Sequence, residues 1–209
     1  QNRKPSISLF KVNPSADKKT QPYLFNIKWQ VYDSDEDHLT AQLFFKEAGD
    51  EAWLPLTDKI SEDAFNLDSR VIPDGNYQLK LVVSDELTND PGEGETAEET
   101  SQSFIIDNTG PSMKVLNAQK VGDFVRIEGV FEDETSAVGR AFYSVNAEKW
   151  IYFSPRDGMF DSAKEIFELS IPEKDLAKNG KENIIFIRVF DSIENQSAFK
   201  VKINGKGKL

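Results

Sequence analysis

The sequence predicts an all-β chain made of two consecutive antiparallel β-sandwiches, and three observations predict it. Apolar and polar residues alternate with a period of two through most of the chain. Clusters of Gly, Pro, Asn and Asp separate these runs, and the order of landmarks in the first half returns in the second.

Phe25, Ile27, Trp29 and Val31 alternate with Asn26, Lys28 and Gln30, the pattern of a strand with one apolar face. Trp29 shares that face with Phe25 and Ile27 and is expected in the core. Tyr77, Leu79, Leu81 and Val83 repeat the pattern after the turn Ile72-Pro73-Asp74-Gly75, and residues 104–106 form a short strand before Asp107-Asn108-Thr109-Gly110-Pro111. In the second half, residues 124–131, 140–145, 166–171, 184–189 and 198–203 read as strands. Two short segments read as helical: residues 61–65, and residues 172–178 with an early proline and Gly180 as a stop.

The halves can be laid over one another. Asp33 and Asp133 end corresponding strands; Leu43-Phe44-Phe45 matches Ala141-Phe142-Tyr143, and Trp53 matches Trp150. Gly75 precedes Asp85 much as Gly180 precedes Asp191, and Phe104 and Phe199 lie in the closing strands. About seven short strands in each half of ~100 residues is the strand density of a sandwich. The expected organisation is an acidic sandwich over residues 1–107, a linker at 108–112, a charge-neutral sandwich at 113–204 and a tail at 205–209.

Composition narrows the function. The first 107 residues hold 21 of the 36 acids and 10 of the 25 bases, so the net charge of -11 lies entirely there and the remainder balances at 15 and 15. Such a field repels phosphate backbones, which argues against nucleic acid and anionic membrane as partners of the first half. No apolar run of about 18 residues is present, so no membrane insertion by a helix is expected. The absence of cysteine removes disulfides, thiolate metal sites and thiol nucleophiles together. The single histidine, His38, lies in the acidic run DSDEDHL, without a Gly-x-Ser-x-Gly elbow or a phosphate loop elsewhere, so no catalytic residues are assigned. The start at Gln1 rather than Met fits a mature secreted form or a piece of a longer chain.

Three sets of residues carry candidate chemistry. Asp85 and Asn89 stand four apart after a strand, and Asp191 and Asn195 repeat the spacing. Such residues make turns by bonding to nearby backbone amides. In a sandwich, however, the loop holding Asp33, Asp35 and Asp37 can converge on Asp85, and four carboxylates suit calcium, a hard ion that takes six to eight oxygens. The alternating aspartates lack the glycine and the final glutamate of an EF-hand, so only a looser interloop site is expected; apart from calcium no cofactor is expected. Trp53 and Trp150 have two readings, as covers of a sandwich edge or as ligand-binding platforms for carbohydrate. Residues 89–100, with Pro91, Gly92, Gly94 and five acids, are expected to be a mobile loop.

The run from Trp29 to Asp33, the turn Pro73-Asp74-Gly75-Asn76-Tyr77, the strand end Val82-Val83-Ser84-Asp85 and the junction IIDNTGP resemble tandem fibronectin type III and related bacterial immunoglobulin-like repeats. VFDSIEN is similar to the terminal hairpin of such repeats, and the block AFYSVNAEKWIYFSPRDGMFDSAKEIFEL resembles sandwich domains that follow a β-propeller in some exported bacterial proteins. The resemblance implies a fibronectin-III-like or immunoglobulin-like fold and a non-enzymatic spacer, presentation or protein-interaction role. Its setting would be a larger extracellular, periplasmic or cell-surface bacterial protein, with other domains of the same parent chain as partners and a protein or carbohydrate as ligand. A calcium-dependent or carbohydrate-binding adhesion module and accessory domains of a neighbouring hydrolase are the alternatives.

Overall fold

The computed structural model describes residues 2–17, 20–21, 23–177 and 182–204. Gly180 and the expected tail at 205–209 lie outside the described residues. The chain divides into two compact units, Gln1–Asn108 and Thr109–Leu209, each all-β.

In the first unit the strands run in the order β1 (Ser6–Pro14), β2 (Leu24–Tyr32), β3 (Thr40–Glu47), β4 (Leu54–Pro55), β5 (Ala64–Asp68), β6 (Gly75–Ser84), β7 (Thr96–Thr100) and β8 (Phe104–Ile106). One sheet has the order β1-β2-β5; the other has β4-β3-β6, and both β7 and β8 pair with β6 on its far edge. Alternation turns every second side chain inward. Ile27, Trp29 and Leu67 from the first sheet meet Leu43, Leu79, Leu81 and Ile106 from the second in one buried cluster.

The second unit repeats the plan with β9 (Ser112–Val121), β10 (Phe124–Glu132), β11 (Val138–Val145), β12 (Ile151–Phe153), β13 (Lys164–Pro172), β14 (Asn183–Asp191) and β15 (Gln196–Ile203). Its sheets have the orders β13-β10-β9 and β12-β11-β14-β15. The core sets Ile127, Phe131, Phe167 and Ile171 against Ala141, Ile185, Ile187 and Val189. Each unit thus splits its strands between a three-stranded sheet and a larger one, all antiparallel, as a fibronectin-III-like or immunoglobulin-like sandwich does.

The structure corrects three sequence expectations. Residues 61–65 are not helical: Ala64 begins β5, Phe65 pairs with Ile27 and the Asp63 carbonyl accepts the Trp29 amide. Phe65 and Leu67 alternate, and tertiary pairing outweighs the N-cap character of Ser61 and Asp63. Of the segment read as helical at 172–178, Lys178 lies outside the described residues, and residues 172–177 contain the single 3-10 turn Glu173–Asp175 and no α-helix. The segment 89–100 is not loop throughout, since Thr96–Thr100 is a strand in register with Lys80 to Ser84. There the main-chain ladder with β6 and the buried methyl of Ala97 supply the ordering that the acidic side chains do not.

One glycine makes a core contact that depends on its missing side chain. Gly129 lies opposite Phe167 across β10 and β13, and an added Cβ would fall 2.5 Å from the Phe167 ring and 2.8 Å from the Lys114 carbonyl oxygen. Phe167 fills that space and stacks on Phe131 at 4.5 Å. Gly129→Ala is therefore expected to destabilise the second unit by about 1–3 kcal/mol through overpacking. Thermal melts of the full chain check it, and a midpoint unchanged from the parent would contradict the packing described.

Candidate functional site

The end of the first sandwich nearest Asp85 gathers acidic side chains from separate parts of the chain. β2 ends at Tyr32 and delivers Asp33 into the turn that follows, where its Oδ1 accepts the Asp35 amide at 2.7 Å. That bond curls the loop so that carboxylate oxygens of Asp33, Asp35 and Asp37 lie within 4.8 Å of one another, with Glu36 between them at a positive φ of 62°. Asp33 is buried, Asp37 half-buried and Asp35 exposed.

Asp85, placed by the end of β6, is wholly buried and has both oxygens engaged. Its Oδ1 accepts the Glu95 amide at 2.6 Å and its Oδ2 accepts the Asn2 side-chain amide at 2.9 Å. Asn89 joins the two loops: its Nδ2 donates to the Asp85 carbonyl at 3.1 Å and to Asp37 Oδ2 at 3.0 Å. The two loops and Asp85 are thus brought to one end, but Asp85 braces the β6–β7 connection and is not among the three clustered carboxylates.

The N-terminal segment completes this end, and sequence reasoning missed it. The Arg3 amide donates to Asp35 Oδ2 at 2.8 Å, while its guanidinium approaches Asp35 at 3.7 Å from an exposed position. Asn2 donates to Asp85 and to the Glu93 carbonyl. Nothing in the local sequence around Asn2 marks it, because its partners lie 83 and 91 residues away.

The second unit builds the corresponding corner differently. Asp133 Oδ1 accepts the amides of Thr135 and Ser136. Asp191 Oδ1 accepts the amides of Ile193 and Asn195, and Asp191 Oδ2 accepts Asn195 Nδ2, each at 2.8–2.9 Å. Asp191 and Asn195 are therefore bonded to one another across the turn. Burial pushes the Asp191 carboxyl above its ordinary range; the bonds from Asn195 and Ile193 pull it down, and the Asp133 charge adds to the rise.

Trp53 and Trp150 occupy matching places just before β4 and β12. Lys46 and Lys80 stand 5.1 and 5.2 Å from the Trp53 ring, and Arg188 stands 4.2 Å from the Trp150 ring. The register makes the pairs equivalent, because Phe44 lies opposite Lys80 and Phe142 opposite Arg188. Each indole shares a sheet face with cation–π partners from the neighbouring strands, an arrangement that suits the covering role. Trp150 remains 41% exposed.

His38 is exposed and its Nε2 lies 3.4 Å from the exposed Ser61 Oγ. A serine activated by this imidazole would need a shorter bond and a water-excluded setting, and neither is present at this surface contact.

No family model matches the chain, and no curated protein does. Among solved structures, the chain is similar to the crystal structure of chicken CNTN1 FN1-FN3 domains, at 14% identity and a TM-score of 0.34, over 99% of this chain and 68% of that one. Among the described residues no helix is long and apolar enough to cross a membrane.

Proposed function

We propose that the chain is a non-enzymatic spacer or protein-interaction segment of a larger exported or cell-surface bacterial protein. The observation that carries this reading is the repetition of one plan: two sandwiches of like strand order, each with a filled core and a corner closed by an Asp-x-x-x-Asn turn. A repeated unit with its side chains committed to packing and turns serves distance and presentation. Catalysis instead needs a water-excluding cleft with titratable groups held in mutual reach. The acidic first unit adds long-range repulsion from anionic surfaces, which suits a segment held away from the cell envelope.

The reading is tested on cells that make the parent protein. An antibody raised against the 209-residue chain should detect it in the exported or surface fraction and lose its signal when intact cells are treated with protease. Retention in the cytosol, or turnover of a chromogenic ester or glycoside that His38→Ala abolishes, would overturn it.

A further inference from the structure

We infer that the end of the first sandwich built from Asp33, Asp35 and Asp37 is a calcium-binding site. The inference goes beyond the spacer reading and does not depend on it. Three carboxylates lie within 4.8 Å of one another, and this alone describes many acidic surfaces. The deciding observation is Asp33, which is only 6% exposed, yet whose Oδ2 is buried without a hydrogen-bond donor. A buried anionic oxygen on a carboxylate that clusters with two others lacks the partner that buried charges require, and a cation supplies it.

A second oxygen at this end is in the same condition. Asn2 donates both amide hydrogens' worth of its nitrogen to Asp85 Oδ2 and the Glu93 carbonyl, which fixes the amide orientation and leaves Asn2 Oδ1 buried without a donor. Its neighbour Arg3 is bonded to Asp35, so this oxygen belongs to the strand of chain that borders the cluster.

The donor set selects the ion. All the ligating atoms are oxygens, and His38 turns its Nε2 towards Ser61, so the site does not suit a soft or imidazole-seeking metal. Asp35 is exposed, which leaves room for water to complete the six to eight oxygens that calcium takes; magnesium demands a near-ideal octahedron and gives up its waters reluctantly. Asp85 and Asn89 act as positioning residues. Asp85 holds Asn2, and Asn89 holds Asp37, so the turn motif after β6 sets the geometry of a site to which it contributes no ligand.

The test uses the full 209-residue chain and calcium chloride after removal of metal with chelator. Isothermal titration should give one calcium per chain, and calcium at a hundredfold excess over its dissociation constant should raise the melting midpoint of one transition by about 10 °C. Asp33→Asn removes a buried group and is liable to disturb folding, so the decisive variant is Asp35→Asn/Asp37→Asn, which changes the more accessible carboxylates. It should melt near the calcium-free parent and bind at least tenfold more weakly. An absence of calcium-dependent heat with superimposable melts would overturn the site, as would undiminished binding by the double variant. An equal response to magnesium would overturn the assignment to calcium.

Discussion

Trp29→Ala is expected to unfold or nearly unfold the first unit while leaving the second intact. Trp29 is 2% exposed and is among the largest fully buried side chains of the chain. It sits on β2 with Phe25 and Ile27 inward and Phe10 opposite it on β1. Truncating a buried Trp removes its transfer free energy and leaves a cavity that the neighbouring strands only partly fill, a loss of about 3–5 kcal/mol. Domains of this size are stable by about 5–15 kcal/mol, so the loss brings a unit at the lower end of that range to its threshold. Differential scanning calorimetry of the full chain should show one transition displaced by at least ten degrees or lost, and the other at its parent temperature. If both transitions moved together, the two units would not be independent folding units, and the division at Asn108 would have no energetic meaning.

Much of this architecture was legible because sandwich strands write their burial into the sequence with a period of two. The residues 25, 27, 29 and 31 and the residues 77, 79, 81 and 83 point into the core or line it as their alternation requires. What the pattern left out is set by long-range pairing. Residues 61–65 read as a short helical segment, and only the ladder with β2 reveals Ala64 and Phe65 as the start of a strand. Thr96–Thr100 looked like loop because its side chains are mostly acidic and polar, yet a strand beside β6 is held by main-chain bonds that composition does not record. The candidate site divides in the same way. The aspartates of the β2–β3 loop stand out at alternate positions, whereas Asn2 joins them only through partners at the far end of the unit.

Asp191→Ala is expected to destabilise the second unit by about 2–4 kcal/mol at neutral pH, and its pH dependence separates two opposing effects. The carboxylate accepts bonds from the Ile193 amide, the Asn195 amide and Asn195 Nδ2. Alanine leaves those donors without an acceptor at a buried corner, and each orphaned donor costs about 1–3 kcal/mol where water cannot replace the bond. Against this, Asp191 is 1% exposed, and burial with the nearby Asp133 charge raises its folded pKa above the ordinary value of 3.8, so its ionised form opposes folding. Between the unfolded and the raised folded pKa the native state binds more protons than the unfolded chain. Stability from this group is therefore fully present below pH ~4 and is lost as pH rises through the folded pKa. Asp191→Asn should reveal which effect dominates. Its carbonyl can still accept the two backbone amides, and a flipped Asn195 amide can accept from its nitrogen, so it should lose less than Asp191→Ala while abolishing the pH slope. Urea denaturation of parent and both variants at pH 4 and pH 7 measures this. A parent whose second unit gains stability across that interval relative to Asp191→Asn would show the carboxylate to be stabilised rather than strained, and the corner would then be held by charge where the geometry reads it as held by hydrogen bonds.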